Sequence, residues 1–414
     1  MWLLLSCSPA SLTLGTDSTP LPTIQDSDPV VESEPIDSIG PADTSPEDSD
    51  APDGPDELLY EPARVLQLTI TLTNQNYNAL RRDGHSFVDA ELSYGDWTGP
   101  VQIHIKGSST WQEIDAKPSL VVDVDNLAPG FEFMGEEKFY LHNQCYDPSM
   151  YSEQLSYNFY REQGYPASRT NFARLTLNGE DYGFYSIVEP HEDDFLRIWF
   201  DDPNGNLYEN AEAYCDVWDL RCMEVEENDE GNDDALRALG AAAQNGAFSE
   251  VRPLVDYSRF IEHMALEASI SHWDSYSYDL SNYQLYHEPT TDQWTLLTQS
   301  MDLDFGWRPW SFPTCGRYAM DPGTYTMGRL ASLCAEDSSC HADFVDAVER
   351  IADALESWDG AARVRELDRL YGAEVRSDPR RYYGNSDYSA HISCLEDFFE
   401  SRPAQLREWA ASAR

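Results

Sequence analysis

Basic residues are scarce in this chain. In 414 residues, 27 Lys and Arg stand against 75 Asp and Glu, a formal net charge of −48. A surface of that sign repels phosphate backbones, which argues against DNA or RNA as a partner. Long apolar runs are missing too. Beyond the first few residues, nothing is long and apolar enough to span a membrane. Zinc-type ligand spacing is also lacking: the eight cysteines, at 7, 145, 215, 222, 315, 334, 340 and 394, have no partner histidines in register. The close pairs Cys215/Cys222 and Cys334/Cys340 read as disulfides of an exported protein, with buried free thiols as the alternative. Apart from Cys7 the count is seven, so at least one unpaired thiol is expected.

Lys and Arg disappear altogether from residues 8 to 60, which hold thirteen Asp or Glu among Pro, Ser and Thr. Such a segment cannot bury enough apolar surface to offset its ordering entropy, and it reads as a disordered acidic tether. Before it, Leu4-Leu5-Ser6-Cys7 resembles a bacterial lipobox. This predicts export to the cell surface or periplasm and a lipid anchor at Cys7, although no Lys or Arg precedes the apolar run. Taking the thirteen tether acids from −48 leaves −35, so the remainder (61–414) is itself strongly acidic.

That remainder is globular in composition. Alternating runs predict strands at 65–72, 87–92, 100–105 and 120–124, and a hairpin of 173–177 with 182–188 across Asn178-Gly179. Helical patterns cover 76–82, 149–163, 233–244, 257–271, 342–357, 361–371 and 391–409. Strands come first and helices after, which is α+β segregation rather than alternation. The expected architecture has two lobes, a sheet-rich one at about 61–190 and a helical one at about 191–414.

The stretch from His272 to Trp307 is the most informative. Asn282–Tyr286 and Trp294–Leu297 alternate around the turn residues 288–292, which predicts a β-hairpin. An antiparallel hairpin brings its two open ends together. Asp274, Asp279 and Asn282 are therefore expected near Asp302 and Asp304, the last two read as the end of a strand with both carboxylates on one side. These oxygen donors suit Mg²⁺, Mn²⁺ or Ca²⁺ better than zinc, and a structural Ca²⁺ site is the bland alternative. Upstream, Gly107-Ser108-Ser109-Thr110 follows a strand and can offer backbone N–H groups to phosphate, or can be an ordinary polar turn. Lys117 enters the next strand, either as a phosphate-directed cation or as a solvated surface lysine. Glu189 ends the strand before Pro190, where it can pair with that lysine or simply meet water.

Taken together, these residues resemble the CotH kinase family, which has an atypical protein-kinase-like fold. The resemblance is carried by Gly107-Ser108-Ser109-Thr110-Trp111 with Lys117-Pro118, by Asp147-Pro148-Ser149, and by Leu177-Asn178-Gly179 with Tyr182-Gly183-Phe184-Tyr185 and Glu189. Trp273-Asp274, Asn282 to Tyr286, Trp294 and Asp302-Leu303-Asp304 complete it. It implies a two-lobed kinase-like fold and transfer of the ATP γ-phosphate to Ser or Thr of a protein with a divalent metal. In that scheme Asp274 is catalytic and accepts the substrate hydroxyl proton. Asp302, with Asp304 and Asn282, holds Mg²⁺ or Mn²⁺, Ca²⁺ being the alternative ion. Lys117, Glu189, Ser108 and Ser109 serve the nucleotide. Three positions depart from the family's usual pattern: Met301 replaces Trp, Ser152 replaces Arg, and Glu209 replaces Lys. The last two remove cations beside a triphosphate and bear against nucleotide affinity. The alternative is a non-catalytic surface or adhesion lipoprotein that keeps the fold and a structural cation. As for partners, a protein substrate basic around its Ser or Thr would suit the acidic surface.

Overall fold

The computed structural model describes residues 58–60, 64–127, 129–210, 214–228, 231–307 and 319–414, all within one compact unit. The lipobox-like segment and the acidic tether lie outside the described residues, except for 58–60.

The first half is built of strands. In β1 (Leu66–Thr71), Leu66, Leu68 and Ile70 alternate inward. Thr73 accepts from the Asn76 N–H and caps helix α1 (Asn74–Arg82). There follow β2 (Val88–Tyr94), β3 (Trp97–Lys106), β4 (Ser119–Asp123), β5 (Lys138–His142), helix α2 (Ser152–Glu162), β6 (Thr170–Leu177) and β7 (Glu180–Val188). These strands close into a barrel in the order β1-β2-β3-β4-β5-β7-β6, the closing β1–β6 pair being parallel. The β6–β7 turn uses Asn178 and Gly179 at φ 50° and 81°, the left-handed pair that a two-residue hairpin of native twist requires. Val101, Ile103, Ile105, Val122, Phe139 and Leu141 fill the barrel as part of its own apolar core.

Helices dominate the second half. In order come α3 (Asp193–Trp199), β8 (Asn206–Asn210), β9 (Met223–Asn228), α4 (Asp234–Asn245), α5 (Phe248–Val251), α6 (Tyr257–Ile270), α7 (Tyr276–Asp279), β10 (Tyr283–Glu288), β11 (Gln293–Thr298), α8 (Arg329–Glu336), α9 (Ser338–Trp358), α10 (Gly360–Ser377) and α11 (Asn385–Ala413). The expected hairpin is β10–β11, and it sits in a four-stranded sheet ordered β11-β10-β8-β9. Helix α2 belongs by sequence to the strand-rich half. Yet its Leu155, Phe159 and Tyr160 are buried in the helical core, so it ties the two halves together. Arg402 of α11 is buried and donates to the carbonyls of Ala268 and Ser269 in the last turn of α6 and to that of Met320, tying α11 to both segments.

The fold is thus mixed α+β, with a sheet-rich N-terminal region and a helical C-terminus. Disulfides join Cys215 to Cys222 and Cys334 to Cys340. No cysteine is free among the described residues, so the unpaired thiol expected from the odd count is not found there.

Candidate active site

A cleft of about 320 Å³ opens between the barrel wall and the β10–β11 hairpin. On the barrel side it is lined by Lys106 at the end of β3, the loop Gly107–Thr110, Ser119 of β4, His142 of β5 and Glu153 of α2. Facing them are Glu209, Asp274, Asn282, Gln299, Ser300 and Asp302. Ser108 and Ser109 are exposed at the mouth. Gly107 holds φ 111°, and a Cβ there would meet Thr110 Oγ1 at 2.6 Å, so the tight return of this loop requires glycine.

The carboxylates are placed by local backbone breaks. Helix α6 stops at Ser271, φ 58°, and the chain turns so that Asp274 reaches the cleft. Asn282, φ 50°, donates from Nδ2 to Asp274 Oδ2 at 2.7 Å and to the Asp274 carbonyl at 2.8 Å. Strand β11 ends at Thr298, and Ser300 takes φ 50° and ψ 59°. Non-glycine residues in this region cost energy, and such positions cluster where function demands them. Burial pushes the Asp274 carboxyl up, while His272 and the Asn282 bond oppose the shift. Asp302 is raised well above the usual carboxylate range by burial and then by Glu153, Asp147 and Asp274. Its dominant electrostatic neighbours are other acids, an arrangement that a cation would relieve.

The left-handed Ser300 corrects one expectation. Asp302 and Asp304 are not on one side of a strand. Met301–Leu303 forms a single 3₁₀ turn, which separates the two carboxylates. Asp302 lines the cleft, whereas Asp304 is fully buried 2.6 Å from His272 Nδ1 and accepts from Ser156 Oγ. Asp279, on α7, is not among the cleft residues either.

Lys117 and Glu189 are not brought together. Lys117 is 3% exposed, and its Nζ lies 2.7 Å from Asp378 Oδ2 at the end of α10. Glu189 accepts from the Arg169 backbone N–H at 2.7 Å and from Arg169 Nε at 2.8 Å. Neither residue lines this cleft. The cleft lysine is Lys106. Its Nζ is 2.9 Å from His142 Nε2 and 3.7 Å from the centre of the Tyr140 ring. His142 Nδ1 faces Glu153 Oε1 at 2.9 Å, and Gln144 Nε2 donates to the same carboxylate. Of the departures from the family pattern, Glu209 lines the cleft and accepts from Gln284 at 3.1 Å, while Ser152 is fully buried at the start of α2.

Sequence reasoning missed Lys106, His142, Glu153 and Gln144, although part of the signal was present. In β3 the inward residues are Val101, Ile103 and Ile105, so Lys106 must face outward. In β5 Phe139 and Leu141 are inward, which turns Tyr140 and His142 to the same outer face. Glu153 carried no such signal. It is placed by the start of α2, where Asp147 accepts from the N–H groups of Ser149 and Ser152 at 2.8 Å each.

The donor set fits a hard divalent cation only in part. Among the described residues, no three His, Cys, Asp or Glu are grouped to hold an ion by themselves. The cleft offers the Asp302 and Asp274 carboxylates and the Asn282 amide oxygen. That suits Mg²⁺ or Mn²⁺, which take one or two carboxylates and complete their shell with water and substrate phosphates.

Comparison with known proteins bears on the family of the chain. Residues 103–406 match the profile described as CotH kinase protein. The chain is 23% identical over 260 residues to the protein called Invasin CotH2 of Rhizopus delemar, covering 58% of this chain and 40% of that one. It is also 23% identical over 189 residues to the Inner spore coat protein H of Bacillus subtilis, covering 42% of this chain and 51% of that one. The chain therefore spans about half the length, or less, of these two relatives.

Proposed function

The chain belongs to the CotH kinase protein family, and from that premise we propose that it is an ATP-dependent protein Ser/Thr kinase of two-lobed kinase-like fold. The observation that carries the reading is the meeting, in one cleft, of a lysine, a Gly-Ser-Ser loop and the group Asp274, Asn282 and Asp302. These are the parts phosphoryl transfer needs, because positioning and charge neutralisation do most of its work. Asp274 accepts the proton of the attacking hydroxyl; burial raises its pKa, which suits a base, and the Asn282 hydrogen bond orients the carboxylate. Asp302 and Asn282 would hold Mg²⁺ or Mn²⁺, which when bound neutralises phosphate charge. Lys106 faces the phosphates, with the Ser108–Ser109 loop offering N–H groups beside it. Lys117 is proposed to act in the fold rather than on nucleotide. Asp304 is proposed to orient the loop through His272 rather than to ligate the ion.

Among the described residues lining the cleft, one lysine faces four carboxylates, Glu153, Glu209, Asp274 and Asp302. A tetra-anionic nucleotide cannot enter such a field alone, so its binding must depend on the metal. The same charge balance favours the second reading, a non-catalytic surface protein that retains the fold. The relatives' names, an invasin and a spore coat protein, support a surface location under either reading. Calorimetry with ATP, in the presence and absence of Mn²⁺, separates the two. The kinase reading requires binding only with the metal, and phosphate transfer that Asp302→Ala and Asp274→Asn each reduce by at least about 10²-fold. Parent protein that fails to bind Mn²⁺–ATP would leave the surface-protein reading in possession.

A further inference from the structure

Among the described residues, no carboxylate pairs directly with the cleft lysine. His142 stands between Lys106 and Glu153, with its ring nitrogens 2.9 Å from the ammonium and 2.9 Å from the nearer carboxylate oxygen. An ammonium can only donate, so Nε2 must be the acceptor and the ring proton must lie on Nδ1, directed at Glu153. The arrangement selects a neutral imidazole in one tautomer. It draws on three elements, β3, β5 and α2. Its far end is rigid: Glu153 is 1% exposed and is also held by Gln144.

We propose that His142 is a positioning residue that passes the hold of Glu153 to Lys106 and keeps the ammonium on the phosphate-facing wall. The inference rests on the phosphoryl-transfer reading above and assigns a role that a direct lysine–glutamate pair would otherwise fill. The interposed ring has a physical consequence. A bidentate carboxylate against Nζ would occupy its donors and cancel its charge. One ring nitrogen occupies one donor and leaves the other two for an anion. In a cleft already carrying four carboxylates, a cation quenched by the nearest of them would be of little use to a phosphate.

The surroundings keep the imidazole neutral. Burial and Lys106 push the His142 pKa down, and Glu153 opposes them. Tyr140 stacks on the ring at 5.8 Å. Tyr157, Glu189 and His191 line the small neighbouring cavity that Lys106 and His142 share. Burial pushes the Lys106 pKa down, and Glu209 and Glu226 of β8 and β9, with Glu153, oppose the shift.

The test compares Mn²⁺–ATP affinity of the full chain with that of Lys106→Met, His142→Phe, His142→Gln, Glu153→Gln and the His142→Phe/Glu153→Gln double variant. Melting temperatures establish that each is folded. A glutamine side chain can accept from Lys106 and donate to Glu153 as the imidazole does, whereas phenylalanine fills the space and does neither. His142→Phe and Lys106→Met should each weaken binding by roughly tenfold to a hundredfold, the range of a lost charge-assisted hydrogen bond. His142→Gln should recover affinity to within about threefold of the parent. The loss caused by Glu153→Gln should vanish in the His142→Phe background, because the two act in series. Unchanged affinity in His142→Phe, or a glutamine variant as weak as phenylalanine, overturns the proposal. If the parent protein does not bind nucleotide, the reading in the preceding section fails, and the relay is judged by ¹⁵N resonances of His142. An Nδ1–H tautomer with an accepting Nε2, lost on Lys106→Met, supports it. An Nε2–H tautomer refutes it.

Discussion

Lys117 is the residue on which family resemblance and structure part company, and replacing it by Met separates their consequences. Its ammonium and the Asp378 carboxylate form an ion pair in which both side chains are at most 3% exposed. Tyr185 covers the ammonium at 5.0 Å, and Asp378 also accepts from the Phe184 N–H at 3.0 Å. The pair joins the start of β4 to the end of α10. Gly183 packs so closely on it that a Cβ would lie 2.0 Å from Asp378 Oδ1. Removing one partner of a buried pair strands the other charge and costs about 3–5 kcal/mol. With an unfolding entropy of about 2.1 cal/mol/K per residue over about 350 residues, that is a fall in Tm of roughly 4–7 °C. Lys117→Met should show this fall by differential scanning calorimetry, while Mn²⁺–ATP affinity measured well below Tm changes by less than about threefold. Adding Asp378→Leu should restore much of the loss, because the stranded carboxylate disappears. A Lys117→Met protein that melts within about 1 °C of the parent yet no longer binds nucleotide would refute the structural role and return Lys117 to the phosphate site.

Other consequences are equally open to measurement. Arg402→Met removes three buried charge-assisted hydrogen bonds, to the carbonyls of Ala268, Ser269 and Met320, and should lower Tm by several degrees, at about 1.5–3 kcal/mol per bond. Arg407→Ala, which removes only exposed pairs with Asp353 and Glu356, should leave Tm within about 1 °C of the parent. Stability without nucleotide should rise as pH is lowered from about 9 to about 6.5. Burial pushes Glu136 up to about 8 against the pull of Arg169; at His272 burial acts downward, but Asp304, Glu267 and Asp274 together outweigh it and push the group up to about 9. In that window the folded protein binds more protons than the unfolded chain, so alkali destabilises it; a Tm flat or rising from pH 6.5 to 9 would contradict both assignments. Phosphorylation of Ser peptides flanked by Lys or Arg should outpace that of peptides flanked by Asp or Glu, with an advantage that shrinks as salt is added. Equal rates would reduce the charge of −48 to a solubility feature.

Much of the fold could be read along the chain. The alternation in 65–72 and 173–188 and the Asn178-Gly179 turn gave β1, β6 and β7, because strand period and turn chemistry are local. The β10–β11 hairpin was legible for the same reason, and with it the approach of Asn282 to Asp274 and Asp302 in one cleft. Strands β8 and β9 were not. β8 takes its inner partner from β10, about 75 residues further on, and β9, rich in acids, pairs only on β8 at the outside of that sheet.

The sequence by itself determined the charge, the α+β order of elements, the turns and the hairpin that gathers the carboxylates. All of these follow from composition and from periods of two and 3.6 residues. Only the tertiary structure decided which lysine meets them. Lys106 and Lys117 flank the same loop, and the alternation that turns Lys106 outward does not say what either lysine meets. One emerges on the outer face of a closed barrel beside His142, and the other is covered by Asp378, just past the end of α10. The same holds for Asp302 and Asp304. A two-residue spacing puts both on one side of a strand, but the left-handed Ser300 ends the strand and the 3₁₀ turn gives them opposite surroundings. Whether a carboxylate faces a cleft or a buried histidine depends on what packs against it from elsewhere in the chain, and spacing alone carries no record of that.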